Sequence, residues 1–171
     1  LDRGARDQPV DALVDVAEAL RQPHHCLAVG GEAEVAGLDD PCMVLKRELS
    51  WIPFFGWFIF KFRMIRLERG AGSAALRKLM ARGVEELAAG RQIVIMPEGT
   101  RQAPDAPPAY KPGAAALYGT LGCPCLPFAV NSGLFWPRRK FLRYPGTIVL
   151  EFLPLIPAGL PRKAFQERLQ D

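Results

Sequence analysis

The chain has 171 residues, and 49% of them are hydrophobic. So apolar a composition excludes a chain that is disordered throughout, and the length suits one domain with a single core. The net charge of +4 hides a split, because residues 1–40 carry nine acidic and three basic side chains whereas residues 41–171 carry nine and nineteen. The basic part suits an anionic membrane surface or a phosphorylated substrate. We expect no nucleic-acid partner, since no recognised binding motif accompanies the charge.

The cysteines argue against a zinc site, because their spacing forms no pair of Cys-x-x-Cys motifs. They are Cys26, Cys42, Cys123 and Cys125. We expect them to be small core residues in a reducing, cytosolic setting, since no signal peptide is recognisable.

The chain up to residue 67 predicts one helix and three short strands. Apolar residues recur at helical spacing over residues 7–22. Short apolar runs predict strands over 25–29, 41–45 and 64–67, and the small, acidic residues 30–40 predict a loop.

An aromatic run over residues 51–60 holds two tryptophans and four phenylalanines, interrupted only by Pro53 and Gly56. It is too short to span a bilayer, which takes about 20 apolar residues. Basic residues follow it at Lys61, Arg63 and Arg66. Aromatic rings beside basic residues favour the membrane interface, and a buried helix with a charged end is the alternative.

The chain beyond residue 72 continues the alternation of helices and strands. Helices are predicted over 73–89, 113–122 and 161–170, and strands over 93–96, 125–130 and 147–153. A loop with four prolines spans residues 102–112. This order predicts an α/β fold with a central mixed sheet flanked by helices.

The strand over 93–96 stops at Pro97 and leads directly into Glu98-Gly99-Thr100-Arg101. The carboxyl end of a strand is where α/β sheets hold their ligands. A glycine there lets backbone approach a ligand, a threonine offers a hydroxyl, and an arginine offers a fork of donors for a phosphate. On these four residues alone, an ordinary polar loop is an equal alternative.

The same four residues resemble the third signature block of the glycerolipid acyltransferases, the family of 1-acyl-glycerol-3-phosphate acyltransferase. Three further blocks occur in the family's order: Lys46-Arg47-Glu48-Leu49 with Pro53 to Gly56, Met64 to Arg69, and Leu121 to Gly133. Lys111-Pro112-Gly113 matches the Lys-x-Gly that follows the third block. The resemblance covers roughly residues 39 to 169 and implies the fold predicted above.

The family's first block, His-x-x-x-x-Asp, is incomplete in this chain. His24 and His25 stand at about the right distance ahead of Lys46, but no acidic residue lies five positions after either. Glu32 and Glu34 are nearby at the wrong spacing. The resemblance therefore offers His25 as the catalytic residue without its usual carboxylate.

The resemblance implies an acyltransferase of phospholipid biosynthesis, peripheral on the cytoplasmic face of the cell membrane. It would transfer an acyl group from acyl-CoA or acyl-carrier-protein to the free hydroxyl of 1-acyl-glycerol-3-phosphate, giving phosphatidic acid. No metal or redox cofactor is implied. The alternatives are a catalytically degenerate module that binds lipid phosphate at the membrane surface and, more weakly, a basic membrane-surface adaptor.

The resemblance also assigns roles to the substrate-binding residues. Arg69 and Arg101 would bind the phosphate, with Lys111 as a third partner. Glu98 would orient Arg101 or a substrate hydroxyl. Gly99 and Thr100 would bring backbone N–H groups and a hydroxyl to the same place. A solvated surface charge is the alternative for each arginine.

Two other segments stand out. Residues 1–38 are acidic and hold no aromatic residue, unlike the acyltransferase domain at 39–171, and a mis-assigned start or a reading-frame error would account for the difference. Basic and aromatic residues alternate over 136–144, which suits either an anionic lipid surface or a solvated loop. The apolar groove that an acyl chain needs would be lined by residues 51–60 and 124–128.

Overall fold

The structure is a computed structural model, and it describes most of residues 40–170 together with one short strand before them. The described residues are 27–29, 40–68, 72–100, 107, 109–136 and 141–170. The predicted helix over 7–22, the predicted loop over 30–40 apart from Asp40, and both histidines lie outside them. The proposal that residues 1–38 are not native is therefore untested.

The described strands form one six-stranded mixed sheet, as the sequence predicted. They are β1 (Leu27–Val29), β2 (Pro41–Lys46), β3 (Ile65–Leu67), β4 (Gln92–Ile95), β5 (Cys125–Val130) and β6 (Leu150–Phe152). Their order across the sheet is β3-β2-β4-β1-β5-β6. The first five strands are parallel to one another, and β6 runs antiparallel to β5.

Helices connect these strands. After a 3-10 turn over Arg47–Trp51 they are α1 (Phe55–Lys61), α2 (Gly72–Ala88), α3 (Pro112–Leu121), α4 (Ser132–Phe135) and α5 (Arg162–Gln170). Gly122 ends α3 with a φ of 62°, in the left-handed conformation that glycine adopts readily. No helix in the described part of the chain is both long enough and apolar enough to cross a membrane.

The main core lies between one face of the sheet and helices α2, α3 and α5. Ile93, Leu117 and Phe165 are among its fully buried residues. The rings of Tyr118 and Phe165 stack with their centroids 4.0 Å apart. The Tyr118 hydroxyl donates to the Pro157 carbonyl and accepts from the backbone N–H of Leu160, so its buried polar atom is satisfied.

The register of the parallel strands places several loops at one edge of the sheet. Ile95 of β4 pairs with Val29 of β1, and Val29 pairs with Pro127 of β5. The residues that follow β1, β2, β4 and β5 therefore leave from the same side, which we call the carboxyl edge. We call the opposite side, where the parallel strands begin, the amino edge. Leu27 at the start of β1 pairs with Ile93 near the start of β4, so the chain enters β1 at the amino edge.

A buried ion cluster closes the amino edge. Arg91 is nearly buried and donates to Glu86, at 3.0 Å, and to both carboxylate oxygens of Asp40, at 2.9 and 3.0 Å. Its guanidinium also donates to the carbonyls of Phe62 and Arg63, directly after α1. The cluster thus joins the starts of β2 and β4 to the end of α1. The sequence alone does not predict this cluster, because Asp40 and Arg91 are 51 residues apart.

Two predictions about this fold need correction. The strand predicted over 147–153 begins only at Leu150, because the Asn131 side chain accepts the backbone N–H of Val149 at 2.8 Å, where a neighbouring strand would supply a carbonyl. Cys42 and Cys125 are buried thiols as predicted, and burial raises the pKa of Cys125 to about 12. Cys123, by contrast, is disulfide-bonded, so the prediction of a free core thiol is wrong for this cysteine.

Candidate functional site at the carboxyl edge

The residues after β4 form a tight turn at the carboxyl edge. The backbone N–H of Gly99 donates to the Met96 carbonyl at 3.0 Å. Pro97 fixes φ at the second position of the turn, and Gly99 has a φ of 62°, which glycine tolerates better than other residues. Pro97 is buried, whereas Glu98 and Thr100 are half-buried at the outer corner.

The start of α3 is fastened to this turn. The backbone N–H of Lys111 donates to the Pro97 carbonyl at 2.7 Å. Pro112 then opens α3, at a position where a helix has no use for a backbone N–H. Four of the predicted site residues are thereby brought to one place: Glu98, Gly99, Thr100 and the exposed Lys111.

The Glu98 carboxyl group is short of partners. Within the described ranges, no side chain or backbone group donates a hydrogen bond to it, and burial raises its pKa above the ordinary value of 4.5. A carboxylate that loses water without gaining a donor costs stability, and groups with pKa values perturbed in this way cluster at functional sites. A substrate, or an arginine such as Arg101, would supply the missing donor.

Tyr110 is a neighbour of this carboxyl that the sequence analysis missed. Burial raises the pKa of its hydroxyl, and the negative charge of Glu98 raises it further. The phenol therefore stays protonated at neutral pH and can donate a hydrogen bond to an anionic oxygen. The available signal was its place directly before Lys111, in the block Tyr110-Lys111-Pro112-Gly113.

The remaining predicted site residues, His25, Arg69 and Arg101, lie outside the described residues. Arg69 directly follows Glu68, which comes just after β3 and forms an ion pair with Arg47 at 2.7 Å. Arg101 directly follows Thr100. The chain therefore reaches both arginines from the carboxyl edge. It leads from His25 into β1 at the amino edge.

A surface of exposed aromatic rings begins beside this edge at the 3-10 turn and continues along α1 towards the amino edge, where the Phe62 carbonyl accepts from Arg91. This aromatic surface consists of Trp51, Phe54, Phe55, Trp57, Phe58, Phe60 and Phe62. Helix α1 buries only Gly56 and Ile59, so the alternative of a buried helix was wrong. Phe54 is 88% exposed and has a φ of 64°, a backbone conformation that is unusual for a bulky residue.

The aromatic surface carries positive charge. The Lys61 ammonium lies 4.7 Å from the centre of the Trp57 ring, and the Arg66 guanidinium lies 4.2 Å from the centre of the Phe60 ring. Gly56 fixes where α1 starts, because a Cβ at that position would lie 2.1 Å from the Ser50 carbonyl oxygen. The start of α1 is therefore packed closely against the 3-10 turn.

The sheet order and the flanking helices define an α/β domain, and a solved acyltransferase shares its fold. The structure matches the crystal structure of the 1-acyl-sn-glycerophosphate (LPA) acyltransferase PlsC from Thermotoga maritima with a TM-score of 0.69. The match covers 90% of this chain and 67% of that chain at 21% identity, which establishes the fold alone.

The sequence profile of the Acyltransferase family matches residues 29–131, and the chain therefore belongs to that family. The matched range begins after both histidines. A 1-acyl-sn-glycerol-3-phosphate acyltransferase from Pseudomonas aeruginosa strain PAO1 is 38% identical over 125 residues, which cover 72% of this chain and 49% of that protein. The chain thus spans about half the length of this curated relative.

Proposed function

We propose that this protein transfers an acyl group from acyl-CoA or acyl-carrier-protein to the free hydroxyl of 1-acyl-glycerol-3-phosphate, giving phosphatidic acid for phospholipid synthesis. The observation that carries the proposal is the turn at Glu98 with Lys111 beside it, at the carboxyl edge of an Acyltransferase-family domain. The named activity of the Pseudomonas relative supports this choice of substrate.

The proposed reaction is an acyl transfer with proton transfer and no change of oxidation state, so it requires no metal or redox cofactor. The acceptor hydroxyl oxygen attacks the thioester carbonyl carbon while a base takes the hydroxyl proton. The carbon–sulfur bond then breaks, and the leaving thiolate receives a proton to become the free thiol. A histidine base of this kind gains about 10²- to 10⁴-fold in rate. Our candidate is His25; because β1 begins two residues later at the amino edge, this role requires the His25 side chain to reach the site from the opposite end of β1. Glu32 or Glu34 is the candidate for the carboxylate that would orient it.

The acceptor phosphate explains the basic residues of the proposed site. Lys111 is exposed next to the turn, and Arg69 and Arg101 follow described residues at the carboxyl edge. The negative charge of Glu98 repels a phosphate, so we propose that Glu98 instead orients Arg101 or the acceptor hydroxyl. Tyr110 adds a neutral donor that an anionic oxygen can accept from.

We further propose that the protein acts as a peripheral protein on the cytoplasmic face of the membrane, where its lipid substrates lie. The aromatic surface with Lys61 and Arg66 has the composition of an interfacial segment, because rings sit at headgroup depth and cations attract anionic lipids. The acyl chain would enter the site from the same side.

Thiol release in mixed micelles of acyl-CoA and 1-acyl-glycerol-3-phosphate tests the proposal. We expect release that depends on the acceptor, and we expect His25→Ala to lower its rate about 10²-fold or more, since the base is lost. His24→Ala is the matched control and should keep the wild-type rate. If acyl-CoA gives no release, acyl-carrier-protein is tried as the donor. Equal rates for both variants would contradict the role of His25.

The second candidate function is a lipid-phosphate-binding module without catalysis. The observation in its favour is the missing acidic residue five positions after either histidine. This candidate predicts no thiol release with either donor, together with binding of 1-acyl-glycerol-3-phosphate that Arg101→Ala weakens. Turnover by the wild-type protein would exclude it.

A further inference from the structure

A second exposed apolar surface lies on the chain between β5 and β6, away from the aromatic surface. We call residues 131–149 the β5–β6 connection; the structure describes residues 131–136 and 141–149 of it, and the docking surface consists of side chains in those two ranges. Its large exposed side chains are Leu134, Trp136, Phe141, Leu142, Tyr144, Ile148 and Val149. The Phe141 side chain is fully exposed, at 101% of its reference area. Exposed rings in this number mark a contact surface in proteins.

The described parts of this connection are held in place. The Asn131 side chain accepts the Val149 N–H at 2.8 Å and donates to the Thr147 carbonyl at 3.4 Å. A Cβ on Gly146 would lie 1.9 Å from the Phe135 ring, so only glycine lets the chain pass there. The backbone N–H of Tyr144 donates to the Phe135 carbonyl at 2.9 Å. The backbone that carries the exposed apolar side chains is thus fastened at both ends of the connection.

The charge of the connection identifies its partner. Residues 131–149 contain four basic and no acidic residues. The Arg143 guanidinium lies 3.9 Å from the centre of the Trp136 ring. A cation against a half-exposed indole, next to exposed phenylalanine and leucine, matches the depth profile of a lipid headgroup layer. The absence of acidic residues favours a surface that is itself anionic.

The connection leaves β5 at the carboxyl edge, as the 3-10 turn leaves β2. Strands β4 and β1 lie between β2 and β5. At the usual distance between neighbouring strands, β2 and β5 are therefore about 14 Å apart. The turn at Glu98 follows β4 and lies between them. A flat partner that touches both the connection and the 3-10 turn at the start of the aromatic surface would therefore cover the candidate site.

We propose that the β5–β6 connection is a second docking surface for an anionic phospholipid bilayer, and that together with the aromatic surface it presses the Glu98 turn against the bilayer. The orientation rests on the proposed function, because it brings a lipid substrate to the site. The docking itself does not depend on turnover, and its test uses vesicles that contain neither substrate.

Flotation with phosphatidylcholine vesicles, with and without phosphatidylglycerol, tests this docking. We expect the double variant Phe141→Ser, Leu142→Ser to bind both kinds of vesicle about tenfold more weakly, because two interfacial side chains are lost. Arg143→Glu should weaken binding about tenfold on the anionic vesicles only. The controls are Val84→Ser and Lys163→Glu, exposed residues on α2 and α5, and both should bind like the wild type.

Trp136 gives a second measurement that does not depend on these variants. In a Trp51→Phe, Trp57→Phe background it is the only tryptophan of the chain. We expect brominated lipids to quench its fluorescence in anionic vesicles. Its fluorescence should stay unquenched when the vesicles are replaced by soluble brominated headgroup analogues.

Several outcomes would overturn the docking proposal. They are unchanged flotation of the Phe141, Leu142 and Arg143 variants, equal losses in the controls, and no quenching of Trp136. If the wild-type protein is a dimer and the double variant is a monomer that still binds vesicles normally, the surface belongs to a contact between two copies of the chain, which would also overturn the proposal. Acyl transfer in detergent micelles is measured separately, so a failure of the proposed function leaves these readouts intact.

Discussion

Replacing Glu98 with glutamine is expected to lower kcat/KM for acyl transfer about 10²-fold or more, and to make the protein more stable at neutral pH. Glutamine keeps the size and the hydrogen-bonding oxygen of the side chain but removes its charge. A charge-assisted hydrogen bond to Arg101 or to the acceptor hydroxyl is then lost, and interactions of this kind at reacting groups contribute about 10²- to 10³-fold.

The gain in stability follows from the raised pKa of Glu98. Burial raises this pKa in the folded protein above the ordinary value of 4.5, so folding opposes ionisation of the group. Above the raised pKa the side chain is ionised in both the folded and the unfolded protein, and the folded protein bears the full free-energy cost of a buried, ionised carboxylate. Below 4.5 it is protonated in both states, and the cost disappears. The glutamine variant should therefore gain free energy of unfolding at neutral pH and lose that gain as the pH falls.

Urea denaturation over this pH range, combined with steady-state kinetics, checks both parts of the Glu98 prediction. Glu151→Gln is the matched control, because Glu151 is exposed on β6, and neither its stability nor its activity should change. A Glu98→Gln variant that is fully active would remove Glu98 from the site. One that is less stable than the wild type at neutral pH would show that the carboxylate has a stabilising partner in the folded protein.

The second large effect is expected at the amino edge, where Arg91→Ala should lower the free energy of unfolding by about 3 kcal/mol. The substitution leaves Glu86, which is fully buried, without its 3.0 Å partner, although Arg63 and Arg82 still contact it. It also removes the donors to the Phe62 carbonyl and the Asp40 carboxylate. Breaking a buried ion pair from one side costs about 3–5 kcal/mol, and the remaining arginines place this case at the low end.

Denaturation by urea measures this loss. Arg77→Ala is the matched control, since Arg77 is exposed on α2, and its unfolding free energy should stay within about 0.5 kcal/mol of the wild type. Arg91→Lys should recover less than half of the loss, because an ammonium cannot donate to both oxygens of Asp40 and to Glu86 in one fixed fork. If Arg91→Ala is as stable as the control, the cluster does not hold the amino edge together.

The sheet could be predicted from the sequence because its strands are short apolar runs bounded by turn residues. The run over 93–96 lies between Gly90 and Pro97, and β4 occupies almost the same residues. The α3 boundary was predictable for a similar reason, since Gly122 has no side chain to oppose a left-handed conformation. The start of β6 was not predictable, because it depends on the side chain of Asn131, far away along the chain.

The residues of the candidate site likewise divide into those that a local motif predicts and those that depend on contacts between distant parts of the chain. Glu98, Gly99 and Thr100 are consecutive, so a local motif was enough to predict that they act together. Tyr110 was missed because its nearness to Glu98 depends on the hydrogen bond from Lys111 to Pro97. The Arg91 cluster was missed because Asp40 and Arg91 are 51 residues apart and follow no periodic pattern. The exposed rings of the aromatic surface were predicted, since too many large aromatic side chains stand there for a small core.

The central claim is that this chain esterifies a lysophospholipid, and detection of the product by mass spectrometry tests it most directly. The purified protein is incubated with isotope-labelled acyl-CoA, or with labelled acyl-carrier-protein, and 1-acyl-glycerol-3-phosphate. We predict labelled phosphatidic acid in amounts equal to the thiol released, and none when the acceptor is left out. Thiol release without labelled phosphatidic acid, or no product from either donor while the protein still binds the acceptor, would contradict the claim.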